Sequence, residues 1–266
     1  MERMASLSRA YVLGVGVHAI NMEQAVAEID HAVLHRRRGY VCVTGVHGVM
    51  VAQSDIQFKS ILNNSLLTTP DGMPMVWMGR LEGFRHMDRV YGPELMLEIC
   101  RLSEERGYKH FFYGGNSGVA EKLAEALRTR YPKLNVVGMN TPPFRPLNPS
   151  EEKELEEQVM KTQPDFLWIG LSTPKQERFM SEHLGDLDCT LMLGVGAAFD
   201  IHTGITKDAP RWIKRAGLQW LHRLLQEPGR LWKRYLVNNP TFVFHVVLQL
   251  LTQGFSSRPR EKWEGY

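Results

Sequence analysis

Asp71 stands between Pro70 and Gly72, after the run Leu66-Leu67-Thr68-Thr69 and before Met73-Pro74. The apolar pair and the two threonines suit a short buried strand. Pro70 and Gly72 then force the backbone out of it, and Met73 to Met78 reads as the start of a helix. The carboxylate is thereby set at a strand end and just before a helix N-terminus, the edge of a parallel α/β sheet at which ligands bind. A carboxylate there has acid–base chemistry within reach of a ligand, although the same position would also suit a plain N-cap of the next helix.

Three further turns of this kind carry polar or glycine residues. Gly114-Gly115-Asn116-Ser117-Gly118 joins a strand, Lys109 to Tyr113, to a strongly periodic helix, Val119 to Tyr131. Such a turn exposes backbone N–H groups and a positive helix end, which favour phosphate, and it also permits tight packing of helix on strand. Pro174-Lys175-Gln176-Glu177 follows the buried strand Asp165 to Gly170. Pro174 suits the first helical turn, leaving Lys175 and Gln176 free to face a ligand. Gly194 to Asp200, with Gly196 inside it, closes the strand Cys189 to Val195. Asp186-Leu187-Asp188 has the acid-x-acid form of a cation site, but it precedes its strand and so belongs on the opposite edge as a surface turn. The ten histidines make no HxxxH pattern or His/Cys cluster, so no metal site is expected. No GxGxxG or Walker pattern occurs either, and no cofactor is expected.

The elements that position these turns alternate. Tyr11 to Val17 reads as a first strand, and Asn21-Met22-Glu23-Gln24 opens a helix to about Leu34 with a capping box. Tyr40 to Thr44 is of strand type, Gly45-Val46-His47-Gly48 breaks it, and a helical stretch follows from Val49. After the Asp71 turn come a helix from Gly92 to Arg106, a strand from Leu134 to Met139 and an acidic helix from Pro149 to Gln163. Five turns follow five strands, which predicts an α/β fold: a mainly parallel, doubly wound, Rossmann-like sheet with the turns gathered on one edge.

Composition is that of an ordinary globular protein, with 43% hydrophobic and 23% charged residues among 266. Cys42, Cys100 and Cys189 are far apart and odd in number, so neither a disulfide framework nor a CxxC site is expected, and a reducing cytoplasm fits. Met1 to Ser8 lacks a signal-peptide core, and no apolar run is long enough to span a bilayer. The net charge of +3 divides unevenly. Residues 206–266 carry +7 and residues 1–205 carry −4, which suggests that the tail meets an anionic surface. On a helical wheel Trp212, Ile213, Ala216, Trp220, Leu221 and Leu224 share one face, and Arg211, Arg215, Gln219 and His222 the other. Breaks are expected at Pro228-Gly229 and before an apolar run from Phe242 to Leu251. Tryptophan beside arginine on an amphipathic helix suits a lipid interface better than nucleic acid. The division expected is a catalytic domain over 1–205 and a basic helical, membrane-docking appendage over 206–266.

Thr68-Thr69-Pro70-Asp71-Gly72, Pro174-Lys175-Gln176-Glu177, Gly194 to Asp200 and Leu224 to Tyr235 together resemble the WecG/TagA/CpsF glycosyltransferases, glycosyltransferase family 26, over about Leu13 to Leu236. The resemblance implies a cytoplasmic, inverting, metal-independent enzyme of bacterial cell-surface polysaccharide synthesis. It would move a hexose or N-acetylhexosamine from a UDP-sugar to a polyprenyl-diphosphate-linked sugar at the inner membrane face. By that resemblance Asp71 is the base, and Arg89 and Gln176 match substrate-binding positions. Thr44-Gly45-Val46 matches a Thr-x-Asn turn in which Val46 replaces the asparagine and His47 could substitute. Arg223, Arg230 and Arg234 look like the groups that would meet a diphosphate. The chemistry asks for the same parts. Inverting transfer needs one base opposite the leaving nucleotide, and the glycine turns with Arg89 and Lys175 could stabilise the departing diphosphate without metal. Asp200 and His47 are the next candidates for the base. A nucleotide-dependent oxidoreductase and a nucleic-acid-binding protein are the alternatives, disfavoured by the missing GxGxxG and by the tail's tryptophan face. A homo-oligomer is left open.

Overall fold

The computed structural model describes residues 7–253. Most of the N-terminal stretch read as lacking a signal core, residues 1–6, and the last residues of the appendage from 254 lie outside the described residues. The strands are β1 (Arg9–Val12), β2 (Val15–His18), β3 (Gly39–Thr44), β4 (Leu67–Pro70), β5 (Lys109–Gly114), β6 (Asn135–Asn140), β7 (Phe166–Gly170) and β8 (Leu191–Gly194). The helices of the body are α1 (Met22–Leu34), α2 (Val46–Ser54), α3 (Ile56–Asn64), α4 (Met73–Leu81), α5 (Gly92–Arg106), α6 (Val119–Arg130), α7 (Pro149–Thr162), α8 (Lys175–Glu182) and α9 (Ala198–His202). The tail forms α10 (Arg211–Arg215), α11 (Gln219–Gln226) and α12 (Pro228–Gln253).

Six strands make one parallel sheet in the order β4-β3-β8-β7-β5-β6. Helices cover both faces, so the central strands are apolar throughout, as buried parallel strands must be. Trp168, Leu193 and Val41 fill one layer, while Ile169, Met192 and Cys42 fill the other. The expected first strand, Tyr11 to Val17, is instead a hairpin. Leu13 and Gly14 both take positive φ, and β1 and β2 pair antiparallel outside the main sheet. The alternation in Tyr11 to Val17 fits either arrangement, and the Leu13-Gly14 turn decides between them.

The capping box at Asn21 and Gln24 is formed. The Asp188 turn lies on the edge opposite the strand ends, paired with Arg38. Gly114, expected in a phosphate turn, serves packing. At φ +129° its absent Cβ would fall 2.7 Å from the Gly170 backbone in β7. Gly114→Ala should therefore cost roughly 2 to 4 kcal/mol, read as a lower Tm and a lower soluble yield; an unchanged Tm would show that the strands can move apart.

The tail differs from the single amphipathic helix expected over 212–224. Gly217 at φ +73° lies so near Trp77 that a Cβ would sit 2.7 Å from the indole, and the chain turns there between α10 and α11. The break expected at Pro228-Gly229 falls between α11, which ends at Gln226, and α12, which Pro228 opens as suits proline in a first turn, whereas α12 continues through Pro240. Proline mid-helix removes one backbone bond without ending a helix that is held by packing. Phe242 is buried in the core with Val246 and Leu250 against it, and Gln249 bonds the backbone of Leu13 and Tyr11 at the hairpin.

Candidate active site

The C-terminal ends of β3, β4, β7 and β8 open into one cleft of about 1640 Å³, roofed by the tail helices. Asp71 follows β4 directly. Its amide donates to the Thr44 carbonyl (3.0 Å), and the Pro70 carbonyl accepts from the Val90 amide (2.9 Å), so the turn is tied on both sides. Gly72 is the N-cap of α4 and no side chain caps that helix. The Asp71 carboxylate is thus not spent on the helix. Its Oδ1 is buried without a hydrogen-bond partner, and Arg89 Nη2 stands 3.9 Å away. Burial raises the Asp71 pKa above the ordinary carboxylate value, against the pull of Arg89, the Gly92 amide, Arg223 and Arg234.

Arg89 is held on three sides. Its Nε donates to the Asp71 carbonyl (2.5 Å), its Nη2 donates to Gln219 Oε1 of α11, and its guanidinium lies 4.2 Å from the centre of the Tyr91 ring. The helical wheel puts Gln219 on the solvated face. It faces inward instead, because the turn at Gly217 reorients α11.

Gln176, in the cleft wall, and Glu177, behind it, lie in the first turn of α8, where Ser172 holds a positive φ of 63° and the Thr173-Pro174 bond is cis. Pro174 is the N-cap, one position earlier than expected. Glu177 is 1% exposed. Its Oε1 accepts from Thr173 Oγ1 (2.8 Å) and Gln176 Nε2 (3.0 Å). Its Oε2 and the Gln176 Oε1 have no partner. Burial raises the Glu177 pKa, opposed by these donors and by Arg234.

His47 Nδ1 accepts from Asn238 Nδ2 of α12 (3.0 Å). Burial and then Arg234 lower its pKa to about 4, while a bond to the Thr173 backbone opposes them. The ring is therefore neutral near pH 7, and its hydrogen bonds compete with service as a base. Asp200, the other alternative, also has a pKa raised by burial, with Arg230 and Arg223 lowering it and Glu227 adding to the rise.

Arginines from α11 and α12 complete the roof. Arg234 is largely buried, and neither its Nε nor that of Arg223 has a partner. Burial lowers the Arg234 pKa, and Arg223 and Arg230 add to that effect. Glu227 offers partial compensation, 3.6 Å from Arg223 and paired with Arg230. Cations kept close together in a cleft suit a multiply charged anion. The helix ends add to this field. α2, α4, α5 and α8 all begin at the cleft without a side-chain cap, whereas Asn21, Asp55 and Asn148 cap α1, α3 and α7. Uncapped N-termini leave amides free for phosphate or carboxylate oxygens.

The cleft thus brings together Asp71, His47, Arg89, Gly115, Asn116, Lys175, Gln176, Gly196, Asp200 and the three tail arginines. Thr44, Gly114 and Glu177 stand behind its wall. Thr44 is buried, and its hydroxyl turns back to the Cys42 carbonyl (3.4 Å). Tyr91, Gln219, Asn238 and Glu227 escape a reading of the sequence. Tyr91 stands two residues after Arg89, and that spacing is the one signal that could mark it. Among the described residues, no three His, Cys, Asp or Glu side chains gather as a metal set.

A strand-end carboxylate, open helix ends and a guanidinium cluster thus stand together on one edge of a doubly wound α/β sheet. The chain belongs to the WecG/TagA/CpsF family of glycosyl transferases, whose model matches residues 10–255. Among its relatives is an N-acetylglucosaminyldiphosphoundecaprenol N-acetyl-beta-D-mannosaminyltransferase of Bacillus subtilis (strain 168), 27% identical over 185 residues, which are 70% of each chain. The protein of the same name from Staphylococcus aureus (strain MW2) is 24% identical over 250 residues, 92% of this chain and 95% of its own.

Proposed function

We propose that this protein transfers an N-acetylhexosamine from a UDP-sugar to a polyprenyl-diphosphate-linked sugar, with inversion, in the synthesis of a bacterial cell-surface polysaccharide. The names of its relatives point to N-acetylmannosamine as the sugar and to N-acetylglucosaminyl-diphosphoundecaprenol as the acceptor. The observation that supports the reading is a buried carboxylate oxygen without a hydrogen-bond partner at the strand edge, beside guanidinium groups from both the body and the tail. Asp71 takes the acceptor hydroxyl proton as that oxygen attacks the anomeric carbon from the side opposite the nucleotide. Charge on the departing UDP is met by the uncapped helix ends with Arg89 and Lys175, and the acceptor diphosphate by Arg223, Arg230 and Arg234. A cleft of about 1640 Å³ exceeds what one small ligand needs and suits two substrates together.

In this reading residues from 206 onward are an appendage that docks on the cytoplasmic face of the inner membrane. No helix among the described residues is long and apolar enough to cross a bilayer. Val243, Phe244, Val247 and Leu251 of α12 and Trp77 and Leu81 of α4 are nevertheless exposed, and this supports an interfacial position. Incubation with a panel of UDP-sugars and polyprenyl-diphosphate-N-acetylglucosamine, with mass spectrometry of the lipid, tests the reading; absence of any glycosylated lipid would refute it. Since cations carry the diphosphate charge, EDTA should leave the rate unchanged, and strict dependence on added Mg²⁺ or Mn²⁺ would contradict this account.

A further inference from the structure

Arg89 is joined to the tail by a chain of hydrogen bonds that runs from Arg89 through Gln219 and Tyr91 to Asp208, where Lys214 donates from the other side. Lys214 Nζ donates to Asp208 Oδ2 (2.7 Å), and the Tyr91 hydroxyl donates to Asp208 Oδ1 (3.0 Å). Gln219 Nε2 donates to the Tyr91 oxygen (2.6 Å), and Gln219 Oε1 accepts from Arg89 Nη2. Arg89 Nε donates to the Asp71 carbonyl (2.5 Å). Both ends of the Gln219 amide are used, and turning it over would set two donors face to face at Arg89. Against these satisfied groups one is left over: Asp71 Oδ1, buried, unpartnered and 3.9 Å from the same Nη2. Its separation from that nitrogen is about 1 Å beyond a charge-assisted hydrogen bond.

We infer that Gln219 is a positioning residue for the transfer: by engaging Arg89 Nη2 it keeps the guanidinium beside the Asp71 carboxylate but not bonded to it. An unbonded carboxylate retains its proton affinity and is the stronger base. The inference rests on the reading of Asp71 as base, and it assigns the tail a part in tuning the body's reactive group. The charged groups that face Asp71 are Arg89, Arg223 from α11 and Arg234 from α12, and the neutral titratable group beside them is Tyr91 from the segment before α5. Removing the Gln219 acceptor leaves all of them in place and frees Nη2 to close on Oδ1.

The test is the pH dependence of kcat for transfer to the lipid-linked acceptor by the full chain. Asp71 acts deprotonated, so activity falls as pH drops through its pKa, and a closer cation moves that acid limb downward. Gln219→Leu should lower the limb by roughly one pH unit and the plateau by roughly three- to tenfold, as a weaker base would. Gln219→Glu keeps an acceptor for Arg89 and adds a negative charge near Asp71, so it should retain more activity than the Leu variant, with its limb at or above the parental one. A role in mere space filling gives the opposite ranking, with Leu tolerated and Glu not, and would overturn the inference. So would a Leu variant with the parental limb. Should Gln219→Leu fail to fold, Tyr91→Phe removes the anchor of the Gln219 amide while keeping the ring under Arg89, and a limb unmoved in that variant counts against the proposal equally. Failure of the base reading looks different: an acid limb that persists in Asp71→Asn.

Discussion

Asp71→Asn is expected to lower kcat by about 10²-fold or more, with UDP affinity kept and the acid limb of the pH profile gone. The amide copies the shape of the carboxylate and cannot take the proton. In the parent, the limb should lie above the ordinary carboxylate range, because burial raises the Asp71 pKa. The stability effect has the opposite sign. A carboxyl whose folded pKa is raised favours folding when protonated and weakens it as pH rises above its unfolded value. Asparagine removes that cost, so the variant should have a Tm equal to or above the parent's at pH 7. Activity within a few fold of the parent would move the base elsewhere, and Asp200 would come before His47 because the Asn238 bond already occupies the imidazole.

The second large effect belongs to the tail. Arg223, Arg230 and Arg234 replaced together by Gln should raise KM for the diphosphate-linked acceptor by about 10²-fold or more, since each charge-assisted hydrogen bond is worth roughly 1.5 to 3 kcal/mol. UDP affinity should change far less, because the uncapped helix ends and Lys175 remain. Arg234 and Arg223 carry buried Nε groups without hydrogen-bond partners, and a bound diphosphate would supply the acceptors that these two groups lack. The comparison requires point variants. Deleting residues from 206 onward would also strip Phe242 from the core and Gln249 from the hairpin, and lost activity would then report on folding. An acceptor KM within a few fold of the parent would place the diphosphate elsewhere.

Much of the body is legible in the sequence because its elements are punctuated locally. The capping box at Asn21, the glycine turns and the Pro-Asp-Gly break each mark a boundary through backbone constraint, and the parallel sheet follows from the alternation. Asp71 can be placed on a strand end by that means alone. What local pattern does not supply is direction over long range. A helical wheel assigns Gln219 to solvent because it assumes one unbroken helix, and one left-handed glycine at 217 turns the residue toward Arg89. Pro240 reads as a break because proline is costly in isolated helices, but packing of Leu231, Phe242 and Gln249 carries α12 past it. Thr44 looks like a contact residue by its place in a turn. Its Cγ2 packs where a Gly48 Cβ would be, and its hydroxyl stays inside.

β8 is the last strand among the described residues and a central one in the sheet, between β3 and β7. Before residue 194 leaves the ribosome, β3 with β4 and β7 with β5 and β6 are two half-sheets, each with an open apolar edge of unpaired amides and carbonyls. Neither half can close on the other, since the spacer between them has not been made. The hairpin at Leu13 waits longer still, for Gln249. A nascent chain of this topology keeps those apolar edges open to aggregation until β8 has been synthesised.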